Sequence, residues 1–208
     1  MVDVWWAGVD EARPEFERDL DTAERERMAA YVREIDRARF LLGVTIVRRV
    51  LAARFSLPAA KIELDRTCSM CGKPHGKVRA AGVELSVTHS GALVGVAVAD
   101  VPVGIDVERV DPALDVDGVA RVVLSADEVQ TLSQYSGLEK ARTFATYWTR
   151  KEAVVKATGE GLLGEQRTPE GIQVRQLDVG DDHRAALAVV SAEPPVVRTF
   201  RFGSDLPR

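Results

Sequence analysis

Residues Val103 to Arg109 read Val-Gly-Ile-Asp-Val-Glu-Arg, and this short run constrains the chain more than any other. Val103, Ile105 and Val107 alternate with Gly104, Asp106 and Glu108. A period of two is that of a β-strand, whose successive side chains point to opposite faces. Asp106 and Glu108 therefore share a face, with carboxyl groups close enough to hold one divalent cation. Two adjacent carboxylates repel unless a cation or a proton lies between them. Without one, the same run is a half-buried strand with a wet acidic face, a common surface arrangement.

A second stretch weighs against the wet face. Phe144 to Gly159 predicts a helix, with Gly159 as its stop. Ala141, Phe144, Trp148 and Val155 recur at helical spacing and form the expected inward stripe. Glu152 lies one turn after Trp148 at the edge of that stripe, and Lys156 follows at i+4. On a solvated helix such a pair contributes only a few tenths of a kcal/mol. Lys151, however, falls near the middle of the stripe, and charges placed where a core should be need charged partners. The inner face of this helix is a candidate site.

These residues carry a family resemblance. Gly104-Ile-Asp-Val-Glu108, followed forty residues later by Trp148-Thr-Arg-Lys-Glu-Ala-Val-Val-Lys-Ala-Thr-Gly159, resembles the signature of 4′-phosphopantetheinyl transferases. The Gly-Glu-Gly-Leu run at 159–162, Ser86-Val-Thr-His-Ser-Gly91 and Arg39-Phe-Leu-Leu-Gly43 match the Sfp-type branch of that family. Each is weak alone, but four motifs in the expected order over residues 20–175 are specific.

The resemblance implies an α+β fold of two similar subdomains, a pseudo-dimer with the active site in the cleft between them. The division expected is 1–102 on the nucleotide side of coenzyme A, and 103–208 with the metal-binding strand and catalytic helix. It implies transfer of 4′-phosphopantetheine from coenzyme A to a serine of an apo acyl or peptidyl carrier protein, with release of adenosine 3′,5′-bisphosphate. Asp106, Glu108 and Glu152 would hold Mg²⁺, for which Mn²⁺ can substitute. Glu152 and Lys156 would be catalytic. Arg39, Lys73, Thr88, His89 and Lys156 would bind coenzyme A, with Thr88 and His89 at its 3′-phosphate.

Composition agrees with a globular chain. Of 208 residues, 46% are apolar and 29% charged, and the net charge of −4 argues against general nucleic-acid binding. No apolar run reaches membrane-spanning length and no charged-then-apolar leader opens the chain, so a cytoplasmic protein with no membrane partner is expected. A monomer is expected from the resemblance.

The remaining segments read in order. Residues 2–7 predict a strand, 22–34 and 36–54 helices, and 83–88 and 93–99 strands joined at Ser90-Gly91-Ala92. Phe40, Val44, Val47 and Leu51 are the expected buried stripe of the second helix, with Arg48 and Arg49 expected to be solvated. Cys68-Ser-Met-Cys71 with His75 allows a redox pair, part of a zinc site, or two incidental turn residues. A structural zinc needs four ligands and the chain has two cysteines. In Gly72-Lys73-Pro74, which resembles a family turn, Lys73 is the residue expected to meet a phosphate. Thr88, His89 and Ser90 supply donors beside a bend, although a histidine there is often merely packed or exposed.

Beyond the acidic strand, 115–122 predicts a helix, Ser125 with Glu128 a capping box, and 139–158 the long helix. Strands follow at 171–177, 185–191 and 196–202, and 203–208 reads as a frayed tail.

Two other functions use related residues. A metal-dependent nuclease also combines acids with a lysine, but its Glu-x-Lys spacing suits a strand, whereas Glu152 and Lys156 lie a helical turn apart. A non-catalytic module binding coenzyme A or a carrier would not need the complete set of reactive residues.

Overall fold

The computed structural model describes residues 1–68, 71–73, 76–159 and 168–205. Among them, seven strands and six α-helices follow in the order β1 (Val2–Gly8), α1 (Thr22–Ala29), α2 (Glu34–Phe55), β2 (Glu84–Ser90), β3 (Leu93–Ala99), β4 (Val103–Arg109), α3 (Val116–Val123), α4 (Ala126–Leu132), α5 (Gly137–Thr158), β5 (Ile172–Leu177), β6 (His183–Val190), β7 (Val197–Arg201) and α6 (Phe202–Asp205). The architecture is α+β with two separate sheets. By contacts the chain divides into Met1–Asp100 with Val197–Arg208, and Val101–Val196.

In the first unit the sheet order is β2-β3-β1-β7. β3 pairs antiparallel with β1 and β2, and β7 lies parallel to β1, with Val2 opposite Val197. The last strand therefore belongs with the first one, not with the half that precedes it in sequence. One face carries Trp5, Ala7, Leu85, Val94, Val96 and Val98, which pack on Leu42, Ile46, Val47 and Leu51 of α2. Gly43 lies at this contact: a Cβ there would stand 3.3 Å from the Val87 Cγ1. Of the tail expected to fray, residues 203–205 continue α6, which starts at the buried Phe202, edge to face with Phe16; 206–208 lie outside the described residues.

Arg48 overturns its expected solvation. It is 1% exposed, the largest fully buried side chain among the described residues. Its guanidinium donates to Glu24 Oε2 at 2.7 Å, Asp21 Oδ2 at 2.8 Å and the carbonyls of Ala59 and Ile62. Asp21 and Glu24 also form the capping box of α1, so one ionic cluster starts α1 and ties it to α2. A buried cation persists only with such complete pairing. Arg49 is likewise bound, with Nε 2.6 Å from Asp19 Oδ2 and its guanidinium over the Phe16 ring. The helix expected over 22–34 ends at Ala29, and α2 begins at Glu34.

The second unit is a three-stranded antiparallel sheet, β4-β6-β5, covered by α5. Both long helices, α2 and α5, have 22 residues. Ser125 and Glu128 form the expected capping box of α4, and Gly159 ends α5 at φ +76°. Among the described residues, no helix is long and apolar enough to cross a membrane.

Candidate active site

β4 is buried on both faces, which removes the wet-strand alternative. Val103, Ile105 and Val107 are at most 1% exposed, and Asp106 on the other face is 4% exposed. That other face lies under α5, and the register places Gly104 opposite Ala188 and Asp106 opposite Ala186. Ala153, Ala157, Ala186 and Ala188 form one packed seam.

This seam corrects the helix stripe. The buried residues of α5 are Ala141, Phe144, Ala145, Thr149, Ala153 and Ala157, whereas Trp148 and Val155 are only partly covered. Trp148 instead helps wall an apolar cavity of about 240 Å³ beside Glu108, with Leu114, Val119 and Phe144. Lys151 does not point at the core. It pairs with Glu128 of α4 at 3.1 Å.

Turning the buried stripe toward Ala153 and Ala157 aims Lys156 and Glu152 at β4. Lys156 Nζ donates to Asp106 Oδ1 at 2.7 Å. Glu152 has a raised pKa, first through burial, then through the charge of Asp106, with Glu108 adding to the effect and Lys156 opposing it. Three carboxylates and one ammonium therefore act on one another within the second unit.

The donor set is carboxylate oxygen, which suits a hard cation such as Mg²⁺. Burial raises the Glu152 pKa first, and the negative charge of Asp106 and Glu108 that adds to it is what a cation would relieve. As the side chains stand, however, no three His, Cys, Asp or Glu among the described residues form a metal-holding cluster, and the ammonium of Lys156 takes the Asp106 Oδ1 position.

The four residues expected to bind the nucleotide all lie in the first unit. Arg39 joins two of the sequence motifs: its Nε donates to the Gly91 carbonyl at 3.1 Å and its Nη1 to Asp36 Oδ1 at 2.9 Å. β2 runs on through Ser90, with Thr88 buried and His89 exposed. Lys73 is exposed, on a turn where the Gly72 amide donates to the Cys68 carbonyl and the Cys68 amide to that of Lys73. Cys68 and Cys71 are not joined by a disulfide. His75, Pro74 and residues 160–162 of the expected motifs lie outside the described residues.

A lysine not singled out from sequence lies four residues after Lys73. Lys77 is largely covered, its pKa is lowered by burial, and its Nζ lies 3.9 Å from Glu84. Nothing in the local sequence marks it apart from Lys73, since burial is set by tertiary packing.

The carboxylates of Asp106, Glu108 and Glu152 and the ammonium of Lys156 thus bear on one another where α5 lies over β4 in an α+β fold. A model of the 4′-phosphopantetheinyl transferase superfamily matches residues 102–203. The chain is similar to 4′-phosphopantetheinyl transferase psf-1 of Bacillus pumilus, with 31% identity over 193 residues covering 91% of this chain and 78% of the relative. It is similar to a 4′-phosphopantetheinyl transferase of Bacillus subtilis (27% identity; 87% and 76% covered) and to 4′-phosphopantetheinyl transferase Sfp of Bacillus subtilis strain 168 (28%; 73% and 66%). The chain belongs to the 4′-phosphopantetheinyl transferase superfamily, and its enzyme class is that of the Sfp-like transferases.

Proposed function

We propose that this enzyme moves the 4′-phosphopantetheine of coenzyme A onto a serine hydroxyl of an apo carrier protein and releases adenosine 3′,5′-bisphosphate. The observation that carries the reading is the meeting of Lys156 with Asp106 in the field of Glu152 and Glu108. The reaction breaks a pyrophosphate, so the site must gather negative charge and align a hydroxyl with the β-phosphorus.

Asp106, Glu108 and Glu152 would hold Mg²⁺, or Mn²⁺ in its place. A cation bound there supplies charge neutralisation at the pyrophosphate oxygens. Glu152 accepts the serine proton: its raised pKa brings it nearer to working pH, where a general base is most effective. Lys156 exchanges Asp106 for the phosphate and neutralises the leaving group as negative charge grows on it. Arg39, Lys73, Thr88 and His89 hold the nucleotide end, where no bond changes. The acceptor is a carrier domain of a fatty acid, polyketide or peptide synthase.

The deciding experiment incubates the purified chain with coenzyme A, Mg²⁺ and a panel of apo carriers. The expected result is release of adenosine 3′,5′-bisphosphate matched by a phosphopantetheine-sized mass gain on at least one carrier, both abolished by a chelator. Coenzyme A left intact across carriers of all three kinds would overturn the reading.

A further inference from the structure

We propose that Gly104 is a positioning residue: its missing side chain lets β4 seat directly on the backbone of α5 and so sets the height at which Lys156 and Glu152 meet Asp106. The inference rests on the functional reading above. A Cβ built on Gly104 would lie 2.0 Å from the Ala153 carbonyl oxygen, 2.5 Å from the Ala157 nitrogen and 2.9 Å from the Lys156 carbonyl carbon. All three atoms are backbone, so no side-chain rotation could make room. In a helix the amide of Ala157 bonds the carbonyl of Ala153, one turn back. The added methyl group would therefore press on the very turn that separates Glu152 from Lys156.

The rest of the contact is built to the same close spacing. Ala186 and Ala188 face α5 from β6, opposite Asp106 and Gly104, and Ala153 and Ala157 face them from the helix. Ordinary contact begins near 3.4 Å, so a side chain at 104 must lift the helix by roughly 1 Å or more. The Lys156–Asp106 contact of 2.7 Å cannot survive that displacement unchanged.

Two measurements on the full chain test this. In the first, phosphopantetheine transfer by Gly104→Ala is expected to show kcat lowered about a hundredfold, as a 1 Å misplacement can do. The KM for coenzyme A should stay within about threefold, since nucleotide contacts are untouched. The second needs no activity. Urea-unfolding midpoints of Asp106→Asn, Lys156→Ala and the double variant are compared with and without Gly104→Ala. With Gly104 the two substitutions are non-additive, because they remove one shared contact; with Gly104→Ala they become additive.

A glycine needed only for stability would lower every midpoint equally and leave both the non-additivity and kcat as in the parent, and that result overturns the proposal. Should Gly104→Ala fail to fold, Ala157→Ser adds one oxygen to the same seam and is expected to show the same signature at smaller size. Unchanged kcat and coupling there would also overturn it. A parent that transfers nothing, while the coupling still collapses, would remove the functional reading and leave the role of Gly104 standing.

Discussion

Lys156 Nζ and Asp106 Oδ1 stand 2.7 Å apart across fifty residues of sequence. The pair binds the last turns of α5 to the middle of β4. It also shows how the site balances charge without a polyanion: the lysine neutralises one of three carboxylates, while Glu152 is left in the field of the others.

Asp106→Asn keeps the shape of the side chain and removes its charge. Transfer should fall by about two to three decades, equivalent to roughly 3–4 kcal/mol of transition-state stabilisation. The variant should stay folded by circular dichroism. Near-parental turnover at ordinary Mg²⁺ would sink the assignment of Asp106.

Glu152 predicts a pH dependence whose sign follows from its raised pKa. The fold favours its protonated form, so its contribution to stability is fully present below the ordinary carboxyl value and lost as pH rises through the raised one. Glu152→Gln is neutral throughout. In cation-free buffer it should melt at higher temperature than the parent near neutral pH, with the gain vanishing in acid below the ordinary glutamate range. Melting curves across pH check this, and a gain independent of pH would contradict it.

Lys156 and His89 should separate in steady-state kinetics. Lys156→Ala should lower kcat by about two to three decades, because it removes a charge that acts as the leaving phosphate develops. His89→Ala should raise the KM for coenzyme A with little change in kcat, since its contact is uniform through the reaction. Dephospho-coenzyme A is the control: His89→Ala should discriminate against it less than the parent does. Full retention of that preference would take His89 off the 3′-phosphate.

Arg48→Met should be among the most damaging substitutions in the first unit. It takes from Glu24 its partner at 2.7 Å and leaves it Arg66 at 3.7 Å, and truncating one partner of a buried ion pair costs about 3–5 kcal/mol. Adding Glu24→Leu should recover only part of that in chemical denaturation, because Glu24 also caps α1. A loss under about 1 kcal/mol would show that the cluster is solvated in solution.

Cys68→Ser with Cys71→Ser should leave the transfer rate within about an order of magnitude of the parent if the pair is incidental to the chemistry. Stoichiometric zinc in the purified parent, lost together with the fold in the double variant, would reverse this view.

Local order was legible because strand alternation and capping are local codes. The runs 93–99 and 103–109 coincide with β3 and β4, and Ser125, Glu128 and Gly159 act at the helix ends as their chemistry dictates. The pairing of β7 with β1 was not legible, since Val197 and Val2 meet through a parallel ladder that neither segment's pattern encodes. The buried face of α5 was misjudged for a related reason. Large side chains suggest a core stripe, yet this helix lies so near its sheet that Gly104 and a seam of alanines form the contact, with Trp148 toward a cavity and Lys151 toward Glu128. The sequence alone determined that Asp106 and Glu108 share one side of a strand and that Glu152 and Lys156 lie one turn apart on a helix, because those periods are local. Only the tertiary structure decided which charges are partnered, as with Arg48, because burial depends on carboxylates and carbonyls brought in from Asp21, Glu24, Ala59 and Ile62.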